Sequence, residues 1–119
     1  MQKIVKKPWG QEIILTEPAL PYAAKILCLK IGARLSLQYH DQKTETLTLI
    51  HGQAKLVRGT SPSQLKTEIM LPQTGYTIKP NSIHRIEAAT DCQIFEASTP
   101  EQGTTFRLED DYGRPNENK

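Results

Sequence analysis

Four side chains able to hold a metal ion are spaced so that strand geometry can bring them together. Gln38 and His40 stand two apart in RLSLQYH, residues 34–40, and Glu45 follows the polar connection DQKT, residues 41–44. Alternate side chains of a strand share a face. Gln38 and His40 therefore point the same way, with Arg34 and Ser36 in the same row while the strand stays regular. If the next strand returns antiparallel, Glu45 arrives opposite His40 with Cβ atoms about 4.5–5.5 Å apart. An amide oxygen, an imidazole and a carboxylate then converge, and a fourth ligand must come from elsewhere. The candidate is His84, which follows the Pro80-Asn81-Ser82 turn in IKPNSIHRIEA at the mouth of a further strand. The chain has 3 histidines, so the site would use two of them; His51, beside the Gly52 turn, reads as exposed. Two imidazoles, one carboxylate and one amide oxygen suit zinc, iron, manganese or nickel.

The elements that must carry these residues are short strands. No long helical period occurs. Alternating or apolar runs recur instead: EIILT (12–16), YAAKILCLKI (22–31), RLSLQYH (34–40), ETLTLIHG (45–52), QAKLVRG (53–59), KTEIMLP (66–72), GYTIKP (75–80), HRIEAA (84–89) and CQIFEAS (92–98). Pro, Gly, Asn and Asp separate them. Short strands at near-regular spacing predict an all-β sandwich or barrel. ETLTLIHG and QAKLVRG flank Gly52 and read as a hairpin. RGTSPSQLK (58–66) reads as a loop. Residues 1–11 read as a solvated N-terminal arm carrying Lys3, Lys6 and Lys7, and residues 101–119 as a polar tail that packs back through Phe106 and Tyr112, with RPNENK frayed.

Composition narrows the function classes. A chain of 119 residues fits one domain, 1–119, and 37% hydrophobic residues suffice for a single core. Its 15 basic and 13 acidic residues leave a net charge of +2, too balanced for a nucleic-acid face. No apolar run approaches the roughly 20 residues of a membrane-spanning helix, and the N-terminus lacks the apolar segment of a secretory signal. Cys28 and Cys92 form no CxxC pair. They read as free thiols of a cytoplasmic protein, the alternative being one disulfide between neighbouring strands.

The order Gly32, Gln38, His40, Glu45, Gly52 resembles the first motif of the cupin family, with Gln38 where cupins normally place the first histidine. KPNSIHR, residues 79–85, is similar to the second motif, a Pro-rich turn ending in His. Four blocks carry the likeness further: KPWG (7–10), GARLSLQYH (32–40), HRIEA (84–88) and RLEDDYGR (107–114) are similar to type II mannose-6-phosphate isomerases. In that family the isomerase module is the C-terminal cupin of an enzyme fused to a guanylyltransferase domain. The hairpin departs from the family pattern Q-x-H-H-H-R-x-E-H-W: Gln38, His40 and Glu45 persist, the further histidines and the arginine do not, and Lys43 stands at the arginine's place. Lys-x-Glu at 43–45 is also similar to the type I isomerases, whose zinc is held by Gln, His, Glu and His.

The resemblance implies a single-domain cupin jelly roll holding one divalent metal at Gln38, His40, Glu45 and His84, zinc first, with manganese, iron and nickel as alternatives. It implies a metal-dependent aldose–ketose isomerase acting on a small-molecule sugar phosphate, with no nucleic-acid or membrane partner and with homodimerisation. Such a reaction needs a base that takes a proton and returns it and cations that orient the phosphate. Lys43 and Glu96 are the catalytic candidates; Arg34 and Lys25 are the candidates for substrate binding. Plainer alternatives stand beside each: Lys43 as a solvated loop residue, Glu96 paired with a surface lysine, Arg34 capping a turn. Arg85 should point away from the site into a surface salt bridge, and Asp110 and Asp111 should be solvated. The rival functions are a non-catalytic cupin binding a sugar or nucleotide sugar and, last, a small metal-dependent oxygenase.

Overall fold

A computed structural model describes all residues 1–119. In chain order the strands are β1 (Lys3–Lys7), β2 (Gly10–Ile14), β3 (Ala23–Leu29), β4 (Leu37–His40), β5 (Glu45–His51), β6 (Ala54–Gly59), β7 (Leu65–Ile69), β8 (Tyr76–Ile78), β9 (Ile83–Ala88), β10 (Cys92–Ser98), β11 (Thr104–Glu109) and β12 (Glu117–Asn118). There is no helix, so none is long and apolar enough to cross a membrane. The strands form two six-stranded sheets, β1-β2-β3-β10-β5-β8 and β12-β11-β4-β9-β6-β7. Their inner faces meet in a core that includes Leu27, Leu47 and Ile94 from the first sheet and Leu56 and Ile86 from the second.

Period-2 alternation explains both the core and the position of the site. On β5, Leu49, Leu47 and Glu45 point inward; on β10, Cys92, Ile94 and Glu96 do. β3 adds Leu29 and Leu27, and its next inward position is Lys25, the cross-strand partner of Glu96. β9 runs inward through Ala88, Ile86 and His84. Each inward row is apolar at one end and polar or charged at the other, and antiparallel register sets the polar ends side by side. One half of the barrel is thereby filled with side chains such as Leu56 and Ile94, both at 0% exposure. The other half is lined by groups that can do chemistry.

Strand pairing differs from the expected hairpins. β4 and β5 do not pair: β4 lies between β11 and β9, and β5 between β10 and β8. DQKT crosses from one sheet to the other, so Glu45 faces His40 across the barrel rather than along a ladder. β5 and β6 also sit in different sheets. At that crossing Gly52 has φ +83°, and a Cβ there would overlap the Asp91 carbonyl and Cys92, so only glycine passes.

The ends of the chain are more ordered than expected. Lys3–Lys7 pairs with β2, and Trp9, at 4% exposure, packs in the core, because the β1–β2 turn folds its indole inward. The tail supplies β11, paired with β4, and β12, paired with β11. Phe106 stacks on Tyr39 at 4.8 Å between ring centroids. Residues 114–119, expected to fray, are tied to the barrel: the Arg107 backbone N–H donates to Asn116 Oδ1 (2.8 Å), the Arg107 side chain to the Pro115 carbonyl (2.6 Å) and the Lys119 N–H to the Gly103 carbonyl (2.8 Å).

Candidate metal centre

His40, Glu45 and His84 are buried, and one ligand atom from each lies within 4.8 Å of the others. Glu45 Oε1 is 3.0 Å from His84 Nε2 and 3.8 Å from His40 Nε2. Gln38 is the register partner of His84 across β4 and β9, so the amide joins the same cluster. Its Nε2 lies 3.4 Å from His40 Nε2, and its Oε1 accepts a hydrogen bond from the Ser36 hydroxyl. Rotating the amide by half a turn aims the oxygen at the imidazoles and leaves Ser36 Oγ as the acceptor for the amide nitrogen.

The donor set fits a divalent ion. The second nitrogen of each ring is already engaged: His84 Nδ1 donates to the Ser82 carbonyl at 3.0 Å, and His40 Nδ1 is hydrogen-bonded to Thr105 Oγ1 at 2.8 Å. These bonds anchor both rings through Nδ1 and aim Nε2 of each into the cluster, the usual outer support of a metal-bound histidine. Burial holds His40 down at about 4, so its ring is neutral near pH 7. Burial alone would raise the Glu45 carboxyl, but its contact with the His84 ring at 3.0 Å and the nearby Lys43 charge outweigh it and keep the group ionised, well below the ordinary carboxylate range.

The cluster opens into a cavity of about 310 Å³ lined also by Lys25, Lys43, Glu96 and Glu101. Lys43 is not a solvated loop residue. At 3% exposure it reaches Glu45 (3.2 Å), Glu96 (2.9 Å) and Glu101 (2.8 Å). Burial opposes its charge, yet these three carboxylates hold the ammonium above the usual lysine range. Lys25 touches Glu12 (3.3 Å), Glu96 (3.8 Å) and Glu101 (2.8 Å), and the same balance keeps it charged. Glu96 is enclosed rather than on a surface face. Lys43 approaches its Oε2 off the hydrogen-bonding direction, so that oxygen has an ion-pair neighbour and no aligned donor. Burial, followed by repulsion from Glu45, pushes the Glu96 carboxyl up to about 7.

Arg34 does not join this group. Regular strand begins only at Leu37, and Arg34 points outward to Asp111, with bonds of 2.7 and 2.6 Å, and to Glu109 at 3.2 Å. That outward carboxylate cluster overrides the alternation which placed it beside Gln38. Asp111 is therefore paired, and Asp110 is bound to Arg114 at 2.9 Å, so neither is free in solvent. Arg85 also lies outside the cavity but is buried; its Nε donates to the Leu35 carbonyl at 3.0 Å, and it pairs with Glu109 at 2.8 Å. His51 is exposed, and Cys28 and Cys92 are free thiols. The residues that sequence reasoning missed are Glu101, Thr105 and Lys119. They lie in a stretch of loop composition, where the alternation of TTFRLE was the one local signal for Thr105.

Two facing antiparallel sheets with a His–Glu–His cluster at the polar end of their interior form a cupin jelly roll. CapF, the capsular polysaccharide assembling protein of Staphylococcus aureus, shares this fold with TM-score 0.75 and 11% identity, over 99% of this chain and 31% of that one. An oxalate decarboxylase–formate complex from Lactobacillus farciminis gives 0.75 and 20%, over 90% of this chain and 34% of that one. The chain thus spans about a third of either protein. KdgF from Halomonas sp. gives 0.68 and 13%, over 86% and 89%. At such identities the likeness is one of fold. The chain itself belongs to the mannose-6-phosphate isomerase C-terminal family, whose pattern matches residues 1–114. No curated protein sequence matches it significantly.

Proposed function

We propose that this chain is a metal-dependent aldose–ketose isomerase of a phosphorylated sugar, similar to mannose-6-phosphate isomerase. The observation that carries the reading is the convergence of His40, Glu45 and His84 in one cavity with Glu96, in a chain of that family. Gln38, His40, Glu45 and His84 would hold the ion, zinc first. When bound, the ion supplies positive charge against the negative charge that develops on the sugar oxygens during enolisation. Glu96 takes the proton from one carbon and returns it to the neighbouring one. A carboxyl pushed up to about 7 suits both halves of that exchange. Lys43, 2.9 Å from Glu96, positions that base, and Lys25 binds the substrate's anionic group.

The test is metal content and mannose-6-phosphate to fructose-6-phosphate turnover for the wild type and His40→Ala. The reading expects near-stoichiometric metal and turnover, both lost in the variant. Turnover persisting in metal-free His40→Ala would sink it. Metal without turnover on any hexose phosphate would replace it with the sugar-binding, non-catalytic reading.

A further inference from the structure

Three ammonium groups from three distant segments meet one carboxylate at the cavity rim. Glu101 Oε1 lies 2.8 Å from Lys25 Nζ on β3 and 2.8 Å from Lys43 Nζ in the β4–β5 crossing; Glu101 Oε2 lies 2.8 Å from Lys119 Nζ. Lys25 and Lys43 have other anionic neighbours in Glu12, Glu45 and Glu96, whereas Lys119 has only the Thr105 hydroxyl besides Glu101. Of the four side chains Glu101 is the most exposed, at 32% against 13%, 4% and 19% for Lys25, Lys43 and Lys119.

The segment that carries Glu101 is held almost entirely by this carboxylate. Thr99 donates its N–H to the Thr44 carbonyl (3.0 Å), and Thr104 donates its own to Asp41 Oδ1 (2.8 Å). Between them the backbone of Pro100, Glu101 and Gln102 makes no hydrogen bond to the rest of the protein. Gly103, at φ +74°, ends the span and is itself fixed, its carbonyl accepting the Lys119 N–H at 2.8 Å. Withdrawing the carboxylate would therefore break side-chain contacts and no backbone ladder.

The geometry points to a phosphate-binding site made by Lys25, Lys43 and Lys119, in which Glu101 is an internal stand-in for the ligand's anionic group. A phosphate monoester displaces Glu101 outward and takes its three ammonium partners. The exchange sets a dianion where a monoanion stood, and its several oxygens reach three donors at once, which a planar carboxylate does with two. The inference rests on the sugar-phosphate reading only for the ligand's identity. The site also places the phosphate at the rim and leaves the depth of the cavity, with Glu96 and the metal cluster, to the carbon being isomerised.

Calorimetric titration of the full chain as purified with inorganic phosphate tests this. Glu101→Gln keeps the shape and removes the competing charge, and should tighten phosphate binding at least about tenfold at low salt. Adding Lys119→Met to that variant should reverse the gain. A phosphate bound to the metal alone would ignore Lys119, so an unreversed gain overturns the proposal, as does no gain at all. Acetate should bind Glu101→Gln more weakly than phosphate, and equal binding also overturns it. In the wild type, saturating phosphate should shift the backbone amide resonances of Glu101 and Gln102; unmoved resonances count against the proposal even if the variant fails to fold. None of these readouts needs turnover, so loss of the isomerase reading and loss of this site are separately visible.

Discussion

Replacing Glu96 with Gln separates what this carboxyl does for the reaction from what it costs the fold. Glu96 continues the inward row of β10 beyond Ile94 and is buried beside Glu45. Burial and that neighbour push it from 4.5 up to about 7. Between those values the native state binds the proton that the unfolded chain has already released. By linkage, the carboxyl's contribution to stability is full below about 4.5 and is lost as pH rises through about 7. The displacement is worth on the order of 3 kcal/mol. His40 has the opposite sign: held down from 6.5 to about 4, its contribution is present above 6.5 and is lost as pH falls toward about 4. In the wild type the two slopes oppose one another between about 4.5 and 6.5. In Glu96→Gln the opposing slope is gone and the His40 slope remains, joined below about 4.5 by Glu45 and Glu101, whose carboxyls are held down in the native state. Urea unfolding of chelator-treated protein from pH about 4 to about 8 reads this directly. The variant should match the wild type at the acid end, exceed it by on the order of 3 kcal/mol at the alkaline end, and lose stability more steeply on acidification. The same substitution should lower kcat by roughly 10²–10⁴-fold in the metal-loaded enzyme. Parallel pH profiles for the two proteins would refute the reasoning about the carboxyl, and retained turnover would remove Glu96 from the reaction.

Thr105→Val removes the hydrogen-bond partner of the buried His40 Nδ1. It should weaken metal affinity by about 10–100-fold, measured by competition with a chelator; unchanged affinity would show that Thr105 does not orient the ring. Arg34→Gln removes the outward cluster with Asp111, Glu109 and Glu87. It should leave kcat/KM for a sugar phosphate unchanged, and a large rise in KM would restore Arg34 to the substrate site.

Local patterning made much of the site legible. Gln38 and His40 share a face because strand side chains alternate. The unusual charges in Lys25 and Glu96 interrupt apolar rows, and that interruption marks where each row leaves the packed half of the barrel. The same rule failed at Arg34, three residues before the regular strand begins, where the outward carboxylates of Asp111 and Glu109 decide its direction. Alternation did place Arg85 outside the cavity, but not its burial, since the Leu35 carbonyl that holds it lies 50 residues away in sequence.

The sequence by itself determined the all-β class, most strand positions and which side chains share a face, because these follow from a backbone period of two residues. Only the tertiary structure decided that β4 and β5 lie in opposite sheets. A four-residue polar link can fold back into a hairpin or cross between sheets about 10 Å apart, and burial of the apolar rows selects the crossing. Glu101, Thr105 and Lys119 reached the cavity through pairings of β11 with β4 and of β12 with β11. Those long-range ladders leave no periodic trace in a polar tail, so the groups that orient His40 and close the lysine cluster emerge only once the chain is folded.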